Sequence, residues 1–234
     1  MKLKKIVVRI IFTFIALLTL LSCIKKKSET TIPVLVICCY EKDIDNVLAL
    51  AWLEKSDIID IAGIIITNID DTLKTNKITV IRYDSQIDSI FFTHSASLRL
   101  LILAPATPIT QYLRNSPEQI GRIHSIYIQN DSLYNVANDS LLNLADIIPK
   151  YVIGKEAALE LPMLKSDFDY LGRHSQTGKY LWQLSQSADS SYIITYPHAL
   201  LTAISIEMPQ FFNRPQMNSL QNHARLKRII VTRL

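Results

Sequence analysis

The fold is decided by the stretch Pro33-Val34-Leu35-Val36-Ile37-Cys38-Cys39-Tyr40-Glu41-Lys42-Asp43-Ile44-Asp45-Asn46-Val47-Leu48-Ala49-Leu50. Its first half is an unbroken apolar run, which is typical of a strand buried on both faces in a parallel sheet. Its second half places apolar residues at helical spacing behind Asp43 and Asp45, either of which can cap the helix N-terminus. A second apolar run follows over residues 58–66. Strand, helix and strand in this order predict a βαβ unit with parallel strands.

Apolar runs and helical patterns continue to alternate along the rest of the chain. Further strands are predicted at residues 100–104 and 125–129, with a short one at 78–81 and a last edge strand at 229–231. Helices are predicted between Pro108 and Leu113 and over residues 141–148, 180–186 and 198–206. We therefore predict an α/β fold with one mostly parallel central sheet and helices on both faces.

Charge and glycine content exclude several classes of function. The 234 residues carry 25 Lys and Arg against 21 Asp and Glu, but four of the bases lie within the first nine residues. Without those four the balance is 21 against 21, so no nucleic-acid footprint is present. Only five glycines occur, and they are too dispersed for a dinucleotide-binding or P-loop motif.

The N-terminus has the pattern of an export signal. A basic start, an apolar run over residues 10–21 and then Ser22-Cys23 follow the order of a secretory signal. Leu20-Leu21-Ser22-Cys23 resembles the bacterial lipobox, which implies cleavage after residue 22 and lipidation of Cys23. An uncleaved anchor, or an ordinary signal with a chance cysteine, is the alternative. We expect residues 1–22 to be a signal peptide, 23–32 a polar tether and 33–234 the folded domain, anchored to the bacterial cell envelope at the outer membrane and facing the periplasm.

The two remaining cysteines, Cys38 and Cys39, are neighbours in sequence. Adjacent strand residues point to opposite faces, so a disulfide between them would be strained. We expect two small hydrophobic side chains without a disulfide.

Glu41, Asp43 and Asp45 form the densest group of carboxylates in the chain, at the junction between the first strand and its helix. Ligands of parallel α/β sheets collect beyond the carboxyl ends of the strands, and clustered oxygens suit a hard cation such as Ca²⁺. Acids at a helix N-terminus also stabilise the helix with no ligand at all. Both interpretations stay open on the residues alone.

These residues carry a resemblance to a known family. The run from Cys39 to Leu50 resembles the opening signature of the nucleoside hydrolases, Asp-x-Asp-x-Gly-x-Asp-Asp-Ala-x-Ala-Leu. Further segments are similar in the same order: the strand leading to Asn68, the run 100–109, the helix and strand over 116–128, and Tyr134-Asn135-Val136-Ala137-Asn138-Asp139. The resemblance covers most of residues 33–148, and more weakly 196–203.

The resemblance implies a calcium-dependent hydrolysis of the N-glycosidic bond of ribonucleosides, with calcium holding the ribose hydroxyls and a water. It places Glu41 as the catalytic base. It places Asp45, Asn46 and His198 at metal-ligand positions. It places Asn68, Asn135 and Asn138 at substrate-binding positions.

Several residues depart from the family pattern. Cys39 and Asn46 replace aspartates, His198 stands where a late aspartate is expected, and Gln129-Asn130 replaces a Gly-Gly pair. A thiol and an imidazole are poor ligands for Ca²⁺, so we expect at most weak calcium binding. Two alternatives remain for His198. It could join a transition-metal site with Cys39, Glu41 and Asp45, or it could be a buried histidine bonded to the backbone.

Two functions follow from this pattern. The first is a nucleoside hydrolase-like lipoprotein whose activity is weak or lost, with a ribonucleoside as its small-molecule partner if it is active. The second is a non-catalytic, membrane-anchored binding or assembly protein with the same fold. Whether it is an enzyme stays open at this point.

Overall fold

The computed structural model describes residues 31–39, 43–67, 80–81, 84–94, 97–130, 135–186, 193–213, 217 and 219–234. Ile32–Leu234 forms one compact unit. Within the described residues, no helix is both long and apolar enough to cross a bilayer.

Six strands form the central sheet. They are β1 (Ile32–Cys38), β2 (Ile59–Ile66), β3 (Val80–Ile81), β4 (Leu98–Ile102), β5 (Ile123–Gln129) and β6 (Lys150–Ile153). Their order is β3-β2-β1-β4-β5-β6, and every pairing between neighbours is parallel. The predicted α/β class and the parallel arrangement of the four main strands are confirmed.

Nine α-helices are present among the described residues. They are α1 (Ile44–Glu54), α2 (Asp84–Thr93), α3 (Thr107–Asn115), α4 (Asn135–Leu144), α5 (Lys155–Leu159), α6 (Lys165–His174), α7 (Gln176–Gln186), α8 (His198–Glu207) and α9 (His223–Arg233). Short 3₁₀ turns occur at Pro117–Arg122 and Pro209–Phe211, and an antiparallel pair, β7 (Met163–Leu164) with β8 (Ile193–Thr195), lies outside the main sheet.

The sheet separates two hydrophobic cores, as the sequence predicts. In β1, Val34, Val36 and Cys38 pack into the core that contains α1 and α8, whereas Leu35 and Ile37 pack into the core that contains α2, α3 and α4. Successive strand residues point to opposite faces, so a strand covered by helices on both faces must be apolar at every position. This is why the run that opens the domain is unbroken.

The predicted edge strand at residues 229–231 is wrong, because these residues lie within α9. Leu226, Ile230 and Leu234 are buried at a spacing of four, which places one apolar face of a helix against the core. The β-branched residues Ile229, Ile230 and Val231 gave a strand signal that tertiary packing overrode. The sequence reading also missed β6 and the helix α2 within the polar segment before β4.

Cys38 is the small buried hydrophobic side chain that the sequence predicts, whereas Cys39 follows the end of β1 and is only half-buried. Cys38 and Cys39 are free, and burial raises the pKa of the Cys38 thiol to about 12, with a smaller contribution from Cys39. A buried thiol held in its neutral form acts as a small hydrophobic side chain.

Candidate functional site

The candidate site begins where β1 ends and α1 starts, at the carboxyl edge of the sheet. Asp43 is the N-cap of α1: its Oδ1 accepts from the backbone N of Asp45 at 2.9 Å. Its Oδ2 accepts from the Asn46 side-chain amide at 2.8 Å. The capping interpretation therefore holds for Asp43, whose carboxylate is engaged within its own helix turn.

Asp45 joins two helices that are distant in sequence. It lies in the first turn of α1 and is buried, at 8% exposure. Its Oδ2 accepts from the backbone N of Ala199 at 2.6 Å, and its Oδ1 accepts from the backbone N of Leu200 at 3.1 Å. These donors belong to the first turn of α8, whose amides have no partner within the helix. One carboxylate thus holds the N-terminus of α8 against α1.

The electrostatics of Asp45 reflect this buried position. Loss of solvent disfavours the charged carboxylate and raises the pKa of Asp45 to about 7, and the negative charge of Asp43 adds to the rise. The backbone amides of Ala199, Leu200 and His198 act in the opposite direction and only partly offset the burial. Near neutral pH the neutral and the charged forms of the Asp45 side chain are therefore both populated.

His198 is the first residue of α8 and is buried. Its Nε2 lies 2.7 Å from the carbonyl oxygen of Ile153, the last residue of β6. A carbonyl only accepts, so Nε2 carries the proton and donates to it. In this arrangement Nε2 is not a metal-ligand atom, and the geometry matches the alternative of a buried histidine bonded to the backbone.

Two buried amide oxygens at this edge have no hydrogen-bond partner within the described residues. They are Oδ1 of Asn46 in α1 and Oε1 of Gln129 at the end of β5. Gln129 pairs with Ile153 of the neighbouring strand β6, and Ile153 is also the residue whose carbonyl oxygen accepts the His198 bond. Sequence reasoning noted Gln129 only as a replaced glycine. A polar residue ending an otherwise apolar strand was the signal that could have marked it.

Asn138, predicted to bind substrate, has a partner in the protein. It is buried in α4, and its Oδ1 accepts from the backbone N of Ala106 at 3.2 Å. Ala106 follows β4 and precedes α3, so the bond ties α4 to the carboxyl end of the sheet. The Asn138 Oδ1 is therefore already engaged in a hydrogen bond within the protein.

The remaining predicted site residues lie outside what the structure describes. They are Glu41, Asn68 and Cys23, together with the side chain of Asn135, whose backbone begins α4. Their roles stay predictions.

The described residues offer few ligands for calcium. No group of three or more His, Cys, Asp or Glu side chains that could hold a metal ion occurs among them. Both Asp45 oxygens accept from backbone amides, and Nε2 of His198 donates to a carbonyl. Among the described residues of this edge, the buried side-chain oxygens without a hydrogen-bond partner are Oδ1 of Asn46 and Oε1 of Gln129. This set does not fit Ca²⁺, which takes six to eight oxygen ligands.

Comparison with known proteins points to one fold. No protein-family model matches the chain, and no curated protein matches it. Solved structures do match. They include the purine-preferring ribonucleoside hydrolase from Gardnerella vaginalis, at 12% identity and a TM-score of 0.63, covering 86% of this chain and 97% of that one. The inosine-uridine preferring nucleoside hydrolase from Bacillus anthracis matches at 11% identity and a TM-score of 0.64, covering 86% and 98%.

A third match is the type III effector protein XopQ complexed with adenosine diphosphate ribose, at 14% identity and a TM-score of 0.67, covering 88% of this chain and 93% of that one. Identities this low carry the architecture and not the activity. The α/β fold of this chain is that of the nucleoside hydrolase structures.

Proposed function

We propose that this chain is a nucleoside hydrolase-like lipoprotein whose ancestral reaction is hydrolysis of the N-glycosidic bond of ribonucleosides, and whose own activity is weak or lost. The observation that carries the proposal is the environment of Asp45. Both of its oxygens bond the first turn of α8, so the carboxylate in the signature position stabilises the fold.

The charges around Asp45 support the same conclusion. In the related fold, calcium would supply a template for the ribose hydroxyls and an activated water. Asn46 and His198 bring no negative charge to that position, and the pKa of Asp45 is raised to about 7 by burial. Calcium affinity depends on ligand charge, and these residues provide little of it.

The test is a calcium titration by calorimetry together with a hydrolysis assay on inosine and uridine. We expect weak or absent calcium binding and little or no release of base. Tight binding, with turnover that disappears in Glu41→Ala, would contradict the proposal and show a working site built with Glu41. Asp57→Ala, which alters an exposed acid after α1, is the matched control.

A second candidate is binding of a ribosylated small molecule without cleavage. The unpartnered buried oxygens of Asn46 and Gln129 favour it, because buried acceptors without donors are costly and are found at functional positions. Ribose hydroxyls are donors that would satisfy them. Both atoms are shielded from solvent, so a ligand that bonds them must displace the groups that now cover them.

This candidate is tested by calorimetry with ribose, inosine and adenosine diphosphate ribose. We expect binding without product, and a weaker affinity in Gln129→Leu, which has no acceptor. Gln183→Leu on the exposed side of α7 controls for the loss of an amide elsewhere. Equal affinity in Gln129→Leu and the parent chain would exclude Gln129 from the site.

The location is also a proposal. Export and acylation of Cys23 rest on the lipobox-like ending of the N-terminal apolar run. Cys23→Ala should abolish acyl labelling and leave an unprocessed precursor. Normal labelling and maturation of Cys23→Ala would exclude this assignment.

A further inference from the structure

The amino edge of the sheet, opposite the candidate site, exposes two large apolar side chains. Phe92 is 78% exposed and Ile147 is 86% exposed. Phe92 lies in the last turn of α2, and Ile147 lies between α4 and β6. Their neighbours Phe91 and Ile148 are buried in the core shared by α2, α3 and α4. The two side chains therefore protrude from the same helical layer.

Hydrogen bonds of nearby backbone groups tie the two segments to this edge. The Arg122 guanidinium, immediately before β5, donates to the carbonyl oxygen of Phe91 at 3.2 Å. The backbone N of Ile126 in β5 donates to the carbonyl oxygen of Pro149 at 3.0 Å, two residues after Ile147. Phe91 is thus held beside the residue that precedes β5, and Pro149 lies where β6 begins, alongside the middle of β5.

The folded unit begins at the same edge. The backbone N of Ile32 donates to the carbonyl oxygen of Ile58 at 2.7 Å, where β1 and β2 start. In the sheet order, β1, β4, β5 and β6 are successive neighbours. Three strand spacings amount to about 14 Å, so Ile32 and the two apolar side chains share one short edge.

We propose that this amino edge is the surface that lies against the lipid bilayer, with Phe92 and Ile147 entering its interface. The inference rests on the lipid anchor in the proposed function. Nine peptide units separate Cys23 from Ile32, so the anchor holds Ile32 within about 30 Å of the membrane. Apolar side chains on a surface held this close gain free energy by leaving water for the acyl boundary.

The orientation has a consequence for the candidate site. In a parallel sheet every strand begins at one edge and ends at the other, so Asp45, Gln129 and His198 lie opposite the bilayer. A water-soluble ligand would reach them without crossing the lipid surface.

The test uses the full chain, acylated at Cys23, in phosphatidylethanolamine and phosphatidylglycerol vesicles that contain nitroxide-labelled lipid. An environment-sensitive fluorophore is attached to Phe92→Cys or Ile147→Cys. The control is Asn130→Cys, an exposed position just beyond β5 at the carboxyl edge. The unsubstituted chain gives the background from Cys39, since Cys38 is buried.

We expect blue-shifted and quenched emission at positions 92 and 147, and unchanged emission at position 130. Phe92→Ser should reduce the quenching at position 147, whereas Phe92→Leu should preserve it. Equal quenching at all three positions, or none at positions 92 and 147, would overturn the orientation. A chain without acyl label would overturn the anchoring itself, which separates the failure of the proposed function from that of this inference.

Discussion

The two edges of the central sheet place their side chains in opposite ways. At the carboxyl edge, polar side chains are buried: Asp45, Asn46, Gln129, Asn138 and His198. At the amino edge, Phe92 and Ile147 are largely exposed. Burial of polar groups is unfavourable unless they are bonded, and exposure of large apolar groups is unfavourable in water.

Each edge can therefore contribute to function in a different way. At the carboxyl edge, Asp45, Asn138 and His198 have backbone partners, so they contribute to stability in the absence of any ligand. At the amino edge, stability gains little from Phe92 or Ile147, which leaves both side chains available for contact. Substitutions at the carboxyl edge should therefore lower the free energy of unfolding, whereas substitutions of Phe92 and Ile147 at the amino edge should leave it nearly unchanged.

Asp45→Ala should give the largest effect. It removes the acceptor of two buried amides in α8, and we expect the free energy of unfolding to fall by about 2–5 kcal/mol. Asp45→Asn keeps one oxygen and should lose less. Urea unfolding measures both, with Asp57→Ala as an exposed control. A loss no greater than the control would mean that α8 does not depend on this carboxylate.

The pH dependence of stability should follow the same residue. The pKa of Asp45 is raised from 3.8 to about 7 in the folded protein, mainly by burial. Between these values the folded state keeps a proton that the unfolded state has lost, so stability decreases as pH rises from about 4 to 7, by at most about 4 kcal/mol. Urea unfolding across this range should show the decrease, and Asp45→Asn should reduce it. Identical pH profiles would exclude Asp45 as its source.

Asn138→Ala should have an intermediate effect. It leaves the buried backbone N of Ala106 without its acceptor, and we expect a loss of about 1–3 kcal/mol in urea unfolding. Asn143→Ala, an exposed substitution in the same helix, is the control. If the two variants unfold alike, the bond across α3 and α4 contributes nothing measurable.

Asn46→Asp introduces a carboxylate at a position where the nucleoside hydrolase signature has one, and it should have a smaller effect. Its Nδ2 bond to Asp43 becomes a repulsion between two acids, which we expect to cost about 1 kcal/mol without calcium. Added calcium should recover part of this loss, measured by thermal unfolding with and without the ion. Asn143→Asp adds the same charge on the surface of α4. Similar calcium responses in both variants would show general screening rather than a site.

The smallest effect is expected at the amino edge. Phe92→Ser and Ile147→Ser should change the free energy of unfolding by no more than about 0.5 kcal/mol, because both side chains already face solvent. Urea unfolding checks this. A loss above about 1 kcal/mol would mean that these side chains pack within the folded domain after all, and the contrast between the edges would fail.

Local patterns were sufficient where burial on both faces imposed a simple rule. The apolar run of β1 and the helical spacing of α1 predicted their structure and their parallel partners. The run at Ile229, Ile230 and Val231 was ambiguous, because β-branched residues suit a strand while their spacing from Leu226 and Leu234 suits a helix. These residues form the helix α9, because a helix places Leu226 and Ile230 together against the core.

For the candidate site, the sequence indicated which residue types would gather at the carboxyl edge but not which atoms would bond. The capping role of Asp43 was among the predictions because it depends on residues two and three positions away. The bond from Asp45 to Ala199 spans 154 residues, and no local pattern encodes such a contact.

Local sequence patterns are enough to predict the α/β class, the parallel strands and the resemblance to the nucleoside hydrolases, because strand burial and helix periodicity depend on residues that are near one another in the chain. Only the tertiary structure decided that Asp45 and His198 bond backbone groups of other elements and that Phe92 and Ile147 protrude from one edge. The physical reason is that burial and hydrogen-bond partners depend on which segments meet in space, and this is fixed when the helices pack on the sheet.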